Sequence, residues 1–161
     1  MSTYKEIRTS NWVVRLPGDW RRSLEQARGF QFESRDGSKG LYIATHIPAP
    51  EHPGSVKELA EWFVAAELAT LREMQDYTWS IAEHSVLAAP GSCVAMLDCV
   101  ALEQHYRVVA KILARPGQVV RASFHDYQCR HYDDSNAYFA SIRASLAFVE
   151  PASHAPGAVL H

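Results

Sequence analysis

The segment from His125 to His131 carries residue types that bind zinc. His125, Cys129 and His131 share strand parity. Side chains two apart on one face of a strand lie about 6–7 Å from each other, whereas zinc takes its ligands at roughly 2.0–2.3 Å. Only a turn after Tyr127 would bring the three together. We therefore interpret the segment as a strand end that leads into a helix, and the sequence predicts neither a metal nor a cofactor.

Nucleophilic catalysis has weak support in this chain. No Gly-x-Ser-x-Gly motif occurs, and Gly91-Ser92-Cys93 follows a proline as a turn into a strand. A pair formed by Cys129 with His105 or His84 stays open as an alternative. Buried structural thiols are more common than catalytic ones. The residues therefore carry no signature of nucleophilic catalysis.

The three cysteines indicate a reducing compartment. Cys93 and Cys99 lie in one candidate strand, with Cα atoms about 20 Å apart at roughly 3.3 Å per residue, and a disulfide tolerates only about 7 Å. The chain begins MSTYKEIRTSN without an apolar signal segment. No stretch approaches the roughly 20 apolar residues of a membrane span. We expect a cytoplasmic protein with reduced thiols and no membrane partner.

Basic residues in the candidate strands raise the possibility of nucleic-acid binding. Arg107, Lys111 and Arg121 would need stacking aromatics on the same accessible face. Tyr106 has the opposite parity to Arg107, and the formal net charge of the chain is −2. Since both observations disfavour a polyanion, we expect no nucleic-acid partner.

Four candidate strands follow one another between Trp79 and Asp126. Their connections are short, and parallel neighbours need a crossover of a dozen residues or more, so the strands must be antiparallel. Turns are indicated at Pro90-Gly91 and Pro116-Gly117. An earlier hairpin, FQFES to LYIATHI, turns at Asp36-Gly37. A further short strand precedes it, and the sequence predicts an antiparallel sheet of six or seven strands.

Two amphipathic helices bracket the four strands. Ser55 and Glu58 form a capping box for the first, whose apolar face includes Trp62 as a core residue. The second is predicted to begin at Asp133-Asp134-Ser135 and to run to Val149. The fold class is therefore α+β, with one domain over residues 1–150 and a C-terminal tail over 151–161.

Strand parity divides the sheet into two faces. One face is apolar, as in the alternation of Val120, Ala122 and Phe124, and we expect helices to cover it. The other face mixes apolar and basic side chains, and we expect a partner to bind there. The predicted partner-binding residues are Tyr42, His46, Arg107, Val109, Lys111, Leu113, Arg121 and His125.

The order of these elements resembles the Mog1/PsbP-like fold and, within it, the bacterial DcrB-like domains. The resemblance lies in the entry WVVRLPGDW, the hairpin FQFESRDGSKGLYIA, the helix SVKELAEWFVAAELATLREM, the four-strand run and the closing helix SNAYFASIRASLAFV. It covers residues 5–149 and implies an α/β/α sandwich. It also implies a non-catalytic binding module. One group with this resemblance comprises cytosolic chaperones of type VI secretion effectors, which work as dimers.

The charged positions on the predicted binding face modify that expectation. An apolar helical client suits a face with Arg107, Lys111 and Arg121 poorly, and an acidic or mixed client suits it better. We therefore expect a homodimeric adaptor or chaperone for a secreted, type VI effector-like protein. An immunity protein that binds a cognate toxin is the first alternative. A small-ligand-binding or hydrolytic domain that uses the same face is the second.

Overall fold

The structure is a computed structural model that describes residues 3–23, 29–49 and 54–150, so the predicted tail lies outside the described residues. The elements in chain order are β1 (Tyr4–Arg8), β2 (Trp12–Pro17), β3 (Arg21–Arg22), β4 (Phe30–Glu33), β5 (Lys39–His46), α1 (Val56–Arg72), β6 (Ser80–Ala89), β7 (Ser92–Ala101), a 3-10 turn (Leu102–Gln104), β8 (Tyr106–Arg115), β9 (Gln118–Asp126), α2 (Tyr132–Ser145) and β10 (Ala147–Phe148).

A seven-stranded sheet forms the centre of the fold, in the order β3-β4-β5-β9-β8-β7-β6. All of its neighbouring strands are antiparallel, which confirms the prediction from the four-strand run. Gly91 and Gly117 have φ values of 73° and 76°, a conformation that glycine adopts without steric cost. Their turns join β6 to β7 and β8 to β9.

Helix α1 packs on one face of the sheet, mainly over β7 and β8. Its N-terminus is capped as predicted, because the Ser55 side chain accepts a hydrogen bond from the Glu58 backbone N–H. The apolar side chains beneath it form a first core, which includes Val64, Leu97 and Ile112. All three cysteines are buried free thiols.

The opposite face is covered by α2 and by a small sheet of order β1-β2-β10. A second core lies between these layers and contains Trp12, Leu41, Phe124 and Phe139. Both faces of the central sheet are therefore packed. The expectation that only one face of the sheet is covered by helices is therefore wrong. Among the described residues, neither helix is long and apolar enough to cross a membrane.

Helix α2 differs from its predicted bounds at both ends. It begins at Tyr132, one residue before the predicted start at Asp133, and its N-cap is His131. It ends at Ser145, since Leu146 turns to an extended conformation. Ala147 and Phe148 then pair with β2. Strand pairing therefore satisfies backbone groups that a helix continued to Val149 would have bonded internally.

Candidate functional site

Sheet pairing places the eight predicted partner-binding residues on two opposite faces. Arg107 lies opposite Asp126, and Arg121 lies opposite Ile112. The loop between β8 and β9 has two residues, so each odd-numbered residue of β8 is paired with an even-numbered residue of β9. Paired residues point to the same face of the sheet, and residues of equal parity in the two strands therefore point to opposite faces. Arg107 and Arg121, both odd, therefore point to opposite sides. The prediction that all eight residues lie on one face is therefore wrong. The length of the loop already implied this, because it sets the parity relation between the two strands.

On the face covered by α2, Arg107 is completely buried in a network of polar side chains. Its Nε and Nη2 donate to the two oxygens of Asp98 at 2.9 and 2.7 Å. Its Nη1 donates to Ser135 Oγ at 3.0 Å and its Nη2 to Asn136 Oδ1 at 3.1 Å. The Tyr132 hydroxyl donates to the same Asp98 carboxylate at 2.7 Å. This network attaches the first turns of α2 to the sheet.

The other three predicted residues of β8 also lie beneath the layer formed by α2 and the small sheet. Val109 and Leu113 belong to the second core. Lys111 Nζ donates to the carbonyl oxygens of Arg143 and Leu146 at 2.8 and 2.9 Å, at the end of α2. Burial, with a smaller contribution from the charge of Arg143, lowers the pKa of Lys111 to about 8. The β8 residues therefore hold a helix in place and do not form an open surface.

Tyr42, His46, Arg121 and His125 lie together on the face that carries α1. They belong to β5 and β9, which lie beside the strands on which α1 mainly packs. The region between α1 and β5 is a cleft with two adjoining cavities of about 540 and 430 Å3. We refer to these as the outer and the inner cavity. Arg121 lines both of them, so the predicted residues of this face meet at one site.

The outer cavity is predominantly apolar. Leu59, Trp62 and Phe63 of α1 form one wall, and Ile47 and Pro48, which follow β5, form the opposite lip. Trp62 is 58% exposed and Ile47 is 85% exposed. The prediction that Trp62 is a core residue is wrong, because the buried stripe of α1 runs through residues 60, 64, 67 and 71 and Trp62 lies at its side.

An ion pair between Arg121 and Glu67 separates the outer cavity from the inner one. Arg121 Nε donates to Glu67 Oε1. Glu67 is 5% exposed, whereas the Arg121 side chain is 39% exposed. Glu67 was not among the predicted site residues. An acidic side chain within the apolar stripe of a helix is the sequence signal that would have indicated it.

The inner cavity contains a hydrogen-bonded chain around His125. Ser123 Oγ lies 2.9 Å from its Nε2 and the Tyr106 hydroxyl lies 2.6 Å from its Nδ1. Tyr42 accepts a hydrogen bond from Gln31 Nε2 at 2.9 Å. The ring of Tyr127 stacks on that of His125 with 5.6 Å between centroids. Both nitrogens of the imidazole are therefore occupied within the protein.

The pKa shifts in this hydrogen-bonded group keep both His125 and Tyr106 neutral at pH 7. Burial, with a smaller contribution from Arg121, lowers the pKa of His125 to about 4. Burial also raises the pKa of Tyr106 to about 12. A general base works best when its pKa is near the operating pH. His125 is therefore a poor base for activating Ser123, and it serves to orient its neighbours.

The residues considered for zinc do not converge in the structure. His125 faces the inner cavity, whereas His131 is the N-cap of α2. Cys129 is buried, and its backbone N–H donates to the carbonyl of His105 at 2.9 Å. Within the described part of the chain, no three histidine, cysteine or acidic side chains are grouped as metal ligands.

Comparison with solved structures identifies the fold. The solution structure of cyanobacterial PsbP (CyanoP) from Synechocystis sp. PCC 6803 matches with a TM-score of 0.65 and 10% identity, over 92% of this chain and 94% of that chain. The crystal structure of the Saccharomyces cerevisiae Ran-binding protein Mog1p matches with a TM-score of 0.59 and 10% identity, over 93% and 97%. No protein-family model and no curated protein matches the sequence. The chain has the Mog1/PsbP-like fold, as the order of its elements predicted.

Proposed function

We propose that this chain is a non-catalytic protein-binding module whose partner docks in the cleft between α1 and β5. The observation that carries the proposal is the exposure of Trp62 and Ile47 beside Arg121. Tryptophan and arginine are enriched among the residues that dominate binding energy at interfaces. Contiguous exposed apolar surface rimmed by polar residues is typical of interaction sites and ligand-binding grooves.

The fold is compatible with this proposal. One matching structure is that of a protein named for binding Ran, so the same architecture supports protein recognition in that case. For this chain, the hydrogen-bonded, neutral His125 next to the cleft supports binding in preference to hydrolysis.

The finer role that we propose is that of a cytoplasmic adaptor or chaperone for a secreted, type VI effector-like protein of bacterial type. An immunity protein that binds a cognate toxin is the alternative. Both roles require a partner that offers apolar and acidic groups together, since the cleft combines an apolar wall with Arg121. The buried free thiols support the cytoplasmic part of the proposal.

The proposed homodimer would use a different surface. Strand β6 is at the edge of the central sheet, and its ten residues are mostly exposed, including Ile81 and Leu87. Its outward backbone groups have the geometry for pairing with a strand of a second copy. Light scattering of the purified chain tests this: a monomer at all concentrations would contradict it.

The test of the module is partner binding by matched variants. A partner recovered from the native host is identified, purified separately and titrated by calorimetry. Trp62→Ala should weaken binding by at least tenfold, because it removes the apolar wall. Tyr4→Ala is the matched control, since Tyr4 is 43% exposed on the small sheet. Equal affinity of Trp62→Ala and the unmodified chain would overturn the proposed docking site.

A further inference from the structure

We propose that the outer cavity is a recognition site for an apolar carboxylate, with its aliphatic or aromatic body against α1 and its carboxylate on Arg121 and His46. This inference rests on the proposed function, because it names the chemistry that the same cleft selects. The carboxylate that we propose is the C-terminal carboxylate of the partner's polypeptide chain, and a small organic acid is the competing outcome. The experiment below separates these two sources.

The shape and lining of the outer cavity define the apolar body. Trp62 and Phe63 meet edge to face with 5.1 Å between centroids, and Phe63 lies 5.1 Å from the His46 ring. These rings and Leu59 line a volume of about 540 Å3. Pockets for small ligands cover roughly 300–1,000 Å3 and combine apolar walls with a few placed polar groups. A short alkyl or aryl group fits such a space.

Arg121 provides the anchor for the charged end of the ligand. Its Nε is held by Glu67, and among the described residues Glu67 alone accepts a hydrogen bond from this guanidinium. The two terminal nitrogens are thus available at a wall of the cavity. A guanidinium presents paired N–H donors that match a carboxylate. The buried Glu67 carboxylate holds these donors in position before any ligand arrives.

His46 provides a second polar atom at the same cavity. Its Nε2 is buried, and no described residue forms a hydrogen bond with it. Burial and the charge of Arg121 lower the pKa of His46, which keeps the ring neutral at pH 7. In the tautomer that carries hydrogen on Nε2, the ring donates one hydrogen bond. A ligand oxygen that reaches Arg121 supplies the acceptor.

These groups also discriminate against other ligand classes. A cation would lie beside Arg121 while Glu67 is already paired with that residue. A neutral alcohol offers one oxygen to several donors. A phosphate monoester would bring two negative charges next to Glu67, which already offsets the charge of Arg121. A carboxylate brings only one negative charge on two acceptor oxygens and is therefore the better match of these two anions.

The experiment measures carboxylate preference in the full chain by NMR titration. Octanoate is compared with octanol, and acetyl-Ala-Ala-Ala-Leu with a free carboxylate is compared with its C-terminal amide. We expect each acid to bind at least tenfold more tightly than its neutral counterpart, with shifts at the Trp62 indole and around His46. Tighter binding of the peptide acid than of octanoate supports the chain end, and tighter binding of octanoate would overturn it. Equal binding of acid and neutral forms would overturn the inference.

Variants separate this inference from the proposed function. The double variant Glu67→Gln/Arg121→Gln keeps the apolar walls and leaves no buried charge unpaired, so it should bind octanoate and octanol equally. Arg15→Gln, on the small sheet, is the control and should keep the preference. If the double variant still binds octanoate more tightly than octanol, the inference is wrong. The proposed protein-docking function is contradicted only if Trp62→Ala binds the protein partner as tightly as the unmodified chain does. Thermal unfolding confirms that each variant is folded.

Discussion

The two faces of the central sheet each carry an arginine paired with a carboxylate, and the two pairs differ in what surrounds them. Arg107 and Asp98 are fully buried, and α2 supplies further partners for both. Arg121 and Glu67 lie at the open side of α1, where the arginine stays 39% exposed. The covering helix therefore determines how accessible each charge is. The pair under α2 is enclosed, and the pair beside α1 can be reached from the cleft.

The tryptophans show the same difference. Trp12 is 1% exposed and packs edge to face against Phe30 in the core beneath the small sheet. Trp62 is 58% exposed at the rim of the cleft. Both are large aromatic side chains in regular elements, and only their positions relative to the neighbouring layer distinguish the buried one from the exposed one.

The largest expected effect comes from breaking the enclosed ion pair. Arg107→Met leaves Asp98 buried without its counter-ion, which should lower the free energy of unfolding by about 3–5 kcal/mol. Urea denaturation measures this loss. The double variant Arg107→Met/Asp98→Leu should recover a large part of it, because no buried charge is then unpaired. A loss below about 1 kcal/mol for Arg107→Met would show that the network is not structural.

The second comparison concerns the two tryptophans. Trp12→Ala removes a buried side chain and should cost about 3–5 kcal/mol. Trp62→Ala should cost less than about 1 kcal/mol, since most of its surface is already in water. Denaturation of both variants under the same conditions measures the difference. Similar losses would mean that Trp62 is a core residue after all.

The third prediction concerns pH and tests the environment of His125. Above pH 6.5 the ring is neutral in both states. Below pH 6.5 this histidine becomes protonated in the unfolded chain, whereas in the folded protein it stays neutral down to about pH 4. The free energy of unfolding therefore falls as the pH falls from 6.5 to 4. At about 1.4 kcal/mol per pKa unit, the loss reaches on the order of 3 kcal/mol. Denaturation from pH 7 to 4 should show that His125→Gln loses less stability than the unmodified chain, and parallel curves would contradict this.

The smallest effect is expected from the half-open ion pair. A double-mutant cycle with Arg121→Gln and Glu67→Gln should give a coupling energy of about 1 kcal/mol, as is typical of partly solvated pairs. The equivalent cycle for Arg107 and Asp98 should give a clearly larger value. Equal coupling energies would remove the distinction between the two faces.

Much of the fold was predictable because its signals are local. The Pro90-Gly91 and Pro116-Gly117 turns, the Asp36-Gly37 hairpin and the Ser55 cap each depend on a few adjacent residues. The candidate site was predictable in part. Tyr42, His46, Arg121 and His125 meet in the cleft, whereas the four residues of β8 face the other way because the two-residue loop reverses parity.

Two differences between the predicted and the observed structure could not be predicted from residues adjacent in sequence. The end of α2 depends on pairing between Ala147-Phe148 and β2, more than 130 residues earlier in the chain. The exposure of Trp62 depends on how far α1 extends sideways over the sheet. Both are long-range packing choices, and helical periodicity alone is equally consistent with other solutions.

Alternation and short connections were enough to predict the antiparallel four-strand run and its turns, because they allow few other pairings, and the order of the elements carried the resemblance to the Mog1/PsbP-like fold. Which basic side chains are enclosed and which remain open depends on long-range packing of the helices on the sheet. The apolar stripe of α1 could pack on any pair of neighbouring strands in the sheet, so the sequence pattern does not specify which pair it covers. Its position over β7 and β8 leaves the side chains of β9 and β5, including Arg121 and His46, at the edge of a cleft.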